Sequence, residues 1–314
     1  MPVSLAGLSL RDLEYAVAVG RERHFGRAAE HCHVSQAALS EQVRKLENLL
    51  GVALFERTKR SVAVTPRGAV LLAAAEALLG EARRFLEAAH RSAGPMTGPL
   101  RLGVIATLGP YYVPALIRSA RERFSALDLR LAEGMTRDLV AQLRAGDLDA
   151  ALLALPLDDP GFHGEPLFFE PFRLACPADH PLADQTRVGI TELSRDDLLL
   201  MEEGHCLRDQ TLSLCNRPRL DRHTRFASSL EMLRHMIAAG EGLSILPALA
   251  AADALGPAGL IAYRDLVEDA GRTIGLVWRT TETRRDDLET FAGFLRESLP
   301  GGIRRIDPMP AEAT

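Results

Sequence analysis

The chain has 314 residues, enough for two or three modules of ordinary size, and its 47% hydrophobic and 25% charged content describes an ordinary soluble protein. A net charge of −5 argues against a nucleic-acid binder as a whole, yet residues 1–97 hold 13 Lys+Arg against 10 Asp+Glu and the remainder 24 against 32. That asymmetry suits a small DNA-binding head on an acidic effector body.

The first residues, "MPVSLAGLSLRDLEYAVAVG", lack a basic n-region, an apolar core and a small-residue cleavage site, and no apolar run reaches a membrane span. The expectation is a cytoplasmic protein with no membrane partner. In that compartment structural disulfides are rare, and one that does form is usually redox-active.

Ser9, with Asp12 three residues on, reads as an N-cap, followed by Leu10, Leu13 and Val17 on one face. A second short helix is expected from Phe25 to about Cys32. Ser35 then caps a helix whose stripe Leu39, Val43, Leu46 and Leu50 ends at Gly51. Its opposite face carries Gln36, Ala37, Ser40, Glu41 and Arg44. Two helices, a tight turn and short hydrogen-bonding residues at the start of the third helix make a helix-turn-helix. Gln36 and Ser40 can reach base edges, while Arg44 and Lys45 are better placed for phosphates. "LFERTKRSVAVTPRG" reads as two short strands around a basic tip, Arg57, Lys59 and Arg60, a wing for the DNA backbone. The plainer alternative is that these are solvated charges on a small helical domain.

From Thr65 as N-cap and Pro66, a helix of about 26 residues, roughly 39 Å long, is expected to run to about Ser92. Leu72, Ala75, Leu79, Ala82, Leu86 and Ala89 form a heptad seam, widened by Leu71, Leu78 and Phe85. So small a head should have nothing to cover that seam, which predicts self-association. "SAGPMTGP" then marks a linker.

From Leu100 the pattern changes to strand, helix, strand, helix, strand: "LRLGVI", Tyr112 to Phe124, "LDLRLAE", Arg137 to Ala145, "LDAALLAL". This order implies a parallel sheet with helical crossovers. A helix capped at Ser228-Ser229, strands at "GLSILP" and "TIGLVW", and a final helix with Leu288, Phe291 and Leu295 follow. In open sheets of this kind ligands bind beyond the carboxyl ends of the strands. Thr107 follows the first strand and Thr136 the second, so both hydroxyls are expected at one crevice; ordinary helix caps are the alternative. No Walker loop, GxGxxG, HExxH or GxSxG occurs, and His31-Cys32-His33 has no second ligand cluster, so neither cofactor nor metal is expected.

Two of the four cysteines, Cys206 and Cys215, stand nine positions apart in "GHCLRDQTLSLC". If the stretch is helical, their Cα atoms lie roughly 13 Å apart, whereas a disulfide needs about 7 Å or less. Either they are unrelated buried thiols or they are the halves of a switch. Cys32 and Cys176 read as small core residues.

"SQAALSEQVRKLE", "LFER", "TPRG", the heptad helix and the α/β body together resemble the LysR-type transcriptional regulators along essentially the whole chain. "GHCLRDQ" with a second cysteine nine residues later, "GPYYVP", "SSLEMLRHMIAAGEGLSILPAL" and "RTIGLVW" resemble the hydrogen-peroxide-sensing members of that family. The resemblance implies an α/β fold class with three parts: a winged helix-turn-helix over residues 1–65, a linker dimerisation helix over 66–92, and a two-lobed, periplasmic-binding-protein-like regulatory domain over 93–301. Lobe I would take about 98–170 and 274–301, lobe II about 171–273, and a tail 302–314.

It further implies that Cys206 is the peroxide-reactive thiol and Cys215 its resolving partner, with Thr107, Thr136, His205, Gln210 and Arg272 around the peroxide. Ser35, Gln36, Ala37 and Ser40 would read the operator, Ala37 standing where many members carry proline. Peroxide attacks a thiolate, so donors or positive charge are expected near the sulfur, with His205, Arg208 and Arg272 the candidates. The implied partners are operator DNA, hydrogen peroxide, three further copies in a homotetramer (a dimer of dimers), RNA polymerase, and a glutathione- or glutaredoxin-type reductant. The implied protein is a regulator and not an enzyme. A LysR-type regulator of an ordinary small-molecule effector would use the same crevice with passive cysteines. A thiol peroxidase would have no use for the head.

Overall fold

The computed structural model describes residues 6–57, 62–90, 94–193, 197–215, 224–252 and 259–306. The chain divides into two compact units near residue 91. No helix among the described residues is long and apolar enough to cross a membrane.

In the first unit, α1 (Leu10–Glu22) starts at a reciprocal capping box: Asp12 N–H donates to Ser9 Oγ at 3.2 Å, and Ser9 N–H to the Asp12 carboxylate at 3.0 Å. Leu13 and Val17 are buried, whereas Leu10, expected on the same face, is exposed. The short α2 (Phe25–His31) is capped by His24, whose Nδ1 accepts from the N–H groups of Gly26 and Arg27. Ser35 caps α3 (Gln36–Leu50) by accepting from Ala38 N–H, and Gly51 ends it at φ +65°. Leu39, Val43 and Leu46 enter the core; Leu50, at the last turn, stays at the surface.

Strands β1 (Phe55–Arg57) and β2 (Val62–Val64) pair antiparallel as the wing. Thr65 Oγ1 then accepts from Gly68 N–H and donates to the Ala53 carbonyl, both at 2.8 Å. Gly68 cannot be replaced freely, since a Cβ there would collide with the Leu54 carbonyl oxygen.

The long helix α4 (Pro66–His90) departs from expectation. Leu72, Ala75 and Leu79 of its heptad seam are buried in the head's own core beside Val17, Val19 and Leu39, so the first half of the seam closes the unit that carries it. Among the described residues, the large apolar side chains of α4 left exposed are Val70, Leu78, Phe85 and Leu86, with Phe85 75% exposed. The exposed apolar surface is thus weighted to the second half of the helix, with Leu86 from the seam and Leu78 and Phe85 from its widened edge.

The second unit opens with β3 (Gly98–Ile105), α5 (Gly109–Arg123), β4 (Leu127–Gly134), α6 (Thr136–Ala145) and β5 (Ala150–Leu155). β3 pairs parallel with both β4 and β5, as the alternation of strand and helix requires. Next come β6 (Phe162–Pro177), β7 (Arg187–Val188), β8 (Leu199–Met201), α7 (Cys206–Leu214), β9 (Arg225–Ala227), α8 (Leu230–Ala238), β10 (Ser244–Pro247) and α9 (Ala248–Ala251). The chain returns through β11 (Ile261–Leu266), β12 (Gly271–Arg279), α10 (Arg285–Glu297) and β13 (Arg304–Arg305).

β6 organises the unit. Its 16 residues pair with β12 along the first part and with β10 and β11 along the last. Two cores flank it. One gathers Leu102, Val104, Tyr112, Phe168, Trp278 and Phe291; the other gathers Leu174, Leu200, Leu207, Leu233, Ile237 and Ile245. β6 and β12 thus carry the chain between two lobes, with a break in register opposite Ile274 and Gly275.

Candidate functional site

Parallel strands β3 and β4 end at Ile105 and Gly134, and both chains then turn at the same edge of the sheet. Thr107 and Thr136 stand there. Facing them is the start of α7, with Gly204, His205 and Cys206. These five residues and Met135 line one cavity of about 10 Å³. That is the room for a single water-sized molecule.

The wall opposite α7 is tightly bonded. Arg272, on β12, lies directly across from Glu170 on β6. Its Nε donates to Glu170 Oε2 at 2.8 Å, its Nη1 to the Thr107 hydroxyl at 2.6 Å and its Nη2 to the Thr107 carbonyl at 3.1 Å. The other Glu170 oxygen accepts from Leu249 N–H at 3.1 Å. Both members of this ion pair have fully buried side chains. Because the Thr107 hydroxyl oxygen already accepts from a guanidinium, its hydrogen is left to donate elsewhere.

On the helix side, Cys206 is the first residue of α7 and Cys215 the residue that closes it. First-turn N–H groups of a helix lack intrahelical acceptors; here that of Arg208 donates to the His205 carbonyl at 3.0 Å. α7 is continuous from Cys206 to Leu214, which puts the two Cα atoms roughly 13 Å apart. All four cysteines are thiols. Cys206 is half-buried against the first core and Cys215 against the second, so the pair straddles the two lobes. His205 is buried and its Nε2 has no partner among the described residues, and neither does the buried Oε1 of Gln210, one turn beyond Cys206. Arg208 points elsewhere: its guanidinium lies over the Phe226 ring on β9, 5.2 Å from the centroid.

Two participants, Glu170 and Gly204, are not picked out by the sequence. Glu170 sits in a strand that was not foreseen. Gly204 adopts φ +100°, and a Cβ there would come within 2.8 Å of the Met135 sulfur; the glycine of "GHCLRDQ" was a signal of both. Cys32 and Cys176 lie apart from the cavity. Burial pushes both thiols up from their ordinary pKa, and Glu14 adds to the shift at Cys32.

In the head, Gln36 and Ala37 are exposed at the start of α3 and Ser40 is half-exposed. The Ser35 hydroxyl is engaged in capping. Arg44 and Lys45 are exposed, Arg44 resting on Glu41 at 2.7 Å. Arg57 ends β1; its side chain, with Lys59 and Arg60, lies outside the described residues.

A winged helix-turn-helix and a two-lobed α/β body on one chain define a DNA-binding transcriptional regulator. Residues 10–69 match the model of bacterial regulatory helix-turn-helix proteins of the lysR family, and residues 93–300 that of the LysR substrate binding domain. The chain belongs to the LysR family, in its OxyR group. It is 42% identical to the DNA-binding transcriptional dual regulator OxyR of Escherichia coli K12, over 95% of this chain and 98% of that one. Among solved structures it resembles full-length OxyR of Pseudomonas aeruginosa, a cysteine-to-aspartate variant, at TM-score 0.75 and 38% identity, covering 96% and 99% of the two chains. It also resembles a peroxide-bound cysteine-to-serine variant of Corynebacterium glutamicum OxyR, at TM-score 0.61 and 35% identity over 92% of each.

Proposed function

We propose that the protein is a hydrogen-peroxide-sensing transcriptional regulator in which Cys206 is the sensor and Cys215 the resolving thiol. The observation that carries this is the size and lining of the Cys206 cavity. At about 10 Å³ it admits a molecule near the size of water, whereas sites for ordinary effectors occupy about 300–1,000 Å³. Cavities of about 340 and 290 Å³ exist elsewhere in the unit, with mainly apolar linings that include no cysteine. The peroxide-bound relative supports the same reading.

The Cys206 thiolate attacks one peroxide oxygen. The S–O bond forms as the O–O bond breaks, sulfur loses two electrons, and the departing hydroxide takes a proton to become water. Thr107, Thr136, His205 and Gln210 supply hydrogen bonds to the peroxide, and Arg272 acts through Thr107. The Cys215 thiol then displaces hydroxide from the sulfenic acid, giving a disulfide and a second water. Bonding requires α7 to be rebuilt, because its helical form holds the sulfurs too far apart. Two reducing equivalents from a glutathione- or glutaredoxin-type thiol restore the pair.

In the head, Gln36, Ala37 and Ser40 face base edges, Ser35 holds the helix that presents them, and Arg44, Lys45, Arg57, Lys59 and Arg60 meet phosphates. The helix α4 (Pro66–His90) serves dimerisation, and the assembly is a cytoplasmic homotetramer that engages RNA polymerase and does not turn over substrate. Operator binding by reduced and peroxide-treated protein tests the reading. The contact pattern or affinity is expected to change on oxidation and return with thiol reductant. Identical footprints before and after complete Cys206–Cys215 oxidation would reject it. Gln36→Ala should lower discrimination between operator and random duplex by about 1–3 kcal/mol; equal losses on both would count against α3 as the reading helix.

A further inference from the structure

Glu170 is a fully buried carboxylate that the reaction above does not use. Each of its oxygens is occupied, Oε2 by Arg272 and Oε1 by Leu249 N–H. Glu170 Oε2 grips the guanidinium at Nε, with Nη2 also 2.8 Å away, while Nη1 meets the Thr107 hydroxyl and Nη2 the Thr107 carbonyl oxygen. A planar guanidinium gripped in this way has little rotational freedom. The carboxylate also balances the arginine's charge, so what reaches the cavity is a directed hydrogen bond and not a bare cation.

We propose that Glu170 is a positioning residue for peroxide reduction: through Arg272 it fixes Thr107 as a hydrogen-bond donor to the departing peroxide oxygen. The proposal rests on the peroxide-sensing reading and deepens it. Arg272 occupies the acceptor side of the Thr107 hydroxyl, which leaves the hydroxyl hydrogen for the cavity that Thr107 lines. As the O–O bond breaks, the distal oxygen acquires the negative charge of hydroxide, and a donor already aimed at it stabilises the transition state more than the bound peroxide.

Glutamine at position 170 offers one acceptor oxygen where two N–H groups arrive, so Glu170→Gln breaks the relay at one end. Arg272→Lys keeps the buried charge pair but lacks the fork, and serves if the first variant fails to fold. In the full-length chain, the rate of Cys206 modification is measured with hydrogen peroxide and with iodoacetamide at the same pH. Thiolate availability affects both reagents, whereas only peroxide needs the donor, so the ratio of the two rates isolates the Thr107 contact.

The ratio is expected to fall on the order of tenfold in either variant, less than the roughly hundredfold or more for deleting a transition-state donor outright. Purely structural loosening would move both rates together, and that result, or an unchanged ratio beside a fast wild type, overturns the proposal. A wild-type Cys206 no faster with peroxide than a free thiol overturns the peroxide-sensing reading itself, and the proposal with it.

Discussion

The cavity has one wall of strands and one of helix, and they are held by different means. On the strand side, Leu249 N–H, Glu170, Arg272 and Thr107 form an unbroken chain of hydrogen bonds anchored in β6 and β12. On the helix side, His205 Nε2 and Gln210 Oε1 are buried without partners among the described residues. α7 has nine residues, too few for a helix to persist in water by itself, and it depends on packing through Leu207 against the second core. The strand wall is a fixed template whose hydrogen bonds are costly to break. The helix wall carries Cys206, the sensor sulfur in the proposed reading, and is the cheaper part to rebuild, as that reading requires.

The largest effect is expected at Cys206. Cys206→Ser should abolish peroxide-dependent oxidation of the pair, since the other half-buried and buried thiols lack its neighbours. Cys215→Ser should leave sulfenic acid formation intact and prevent the disulfide. Mass spectrometry after brief peroxide exposure checks both; a Cys32–Cys176 bridge as the main product would sink the assignment.

Thr136 opens α6 at the junction of the two walls. Valine is nearly isosteric with threonine but has no hydroxyl, so Thr136→Val should slow Cys206 oxidation by about tenfold or more, the scale of losing a positioning contact. Operator binding by the reduced form should be nearly unchanged. Stopped-flow rates decide it: an unaltered rate would leave Thr136 as a helix cap only.

Gly204 tests the helix wall in the absence of any change at a reacting group. Alanine there must adopt φ +100° and would crowd the Met135 sulfur. Gly204→Ala is expected to destabilise the body by about 1–3 kcal/mol and to displace the start of α7. A denaturant midpoint and oxidation rate both equal to wild type would show that α7 tolerates repositioning at no cost.

The capped helices and the first three strands of the body are legible because their signals are local; the sequence leaves open whether the stretch from Cys206 to Cys215 is helical. The capping residues, the 3.6-residue stripes of α3 and α10, and the alternation from β3 to β5 each lie within one element. β6 was hidden by composition. Pro166 and Pro171 interrupt it, and proline argues against a central strand. Its neighbours absorb them: Pro166 stands opposite Gly275 at the register break and Pro171 opposite Gly271. With β6 unseen, Glu170 had no position, and its pairing with Arg272 over a separation of 102 residues was invisible. The α4 seam misled for the converse reason. Its heptad spacing is present, but spacing says nothing about whether the covering surface belongs to the same unit or to another copy.

The smallest effect is expected at Cys176, which has none of the contacts that set Cys206 apart. It is fully buried in β6, with Sγ 3.8 Å from the Ala262 carbonyl oxygen. Burial raises its pKa, with Arg264 opposing only in part. Cys176→Ala should leave the peroxide reaction unchanged and reduce stability at neutral pH by about 1 kcal/mol. Alkaline solution then exposes the difference. A thiol whose folded pKa is raised contributes stability that is fully present below the unfolded value, about 8.5, and is lost as pH rises through the folded value. Between those values the unfolded chain gives up its proton while the folded one keeps it. The wild type should therefore lose up to about 1.4 kcal/mol per pH unit from this residue, and Cys176→Ala should lose none of it. Urea titrations at pH 7, 8.5 and 10 should show the gap between the two proteins closing as pH rises. A constant gap would mean that the buried thiol ionises as readily folded as unfolded.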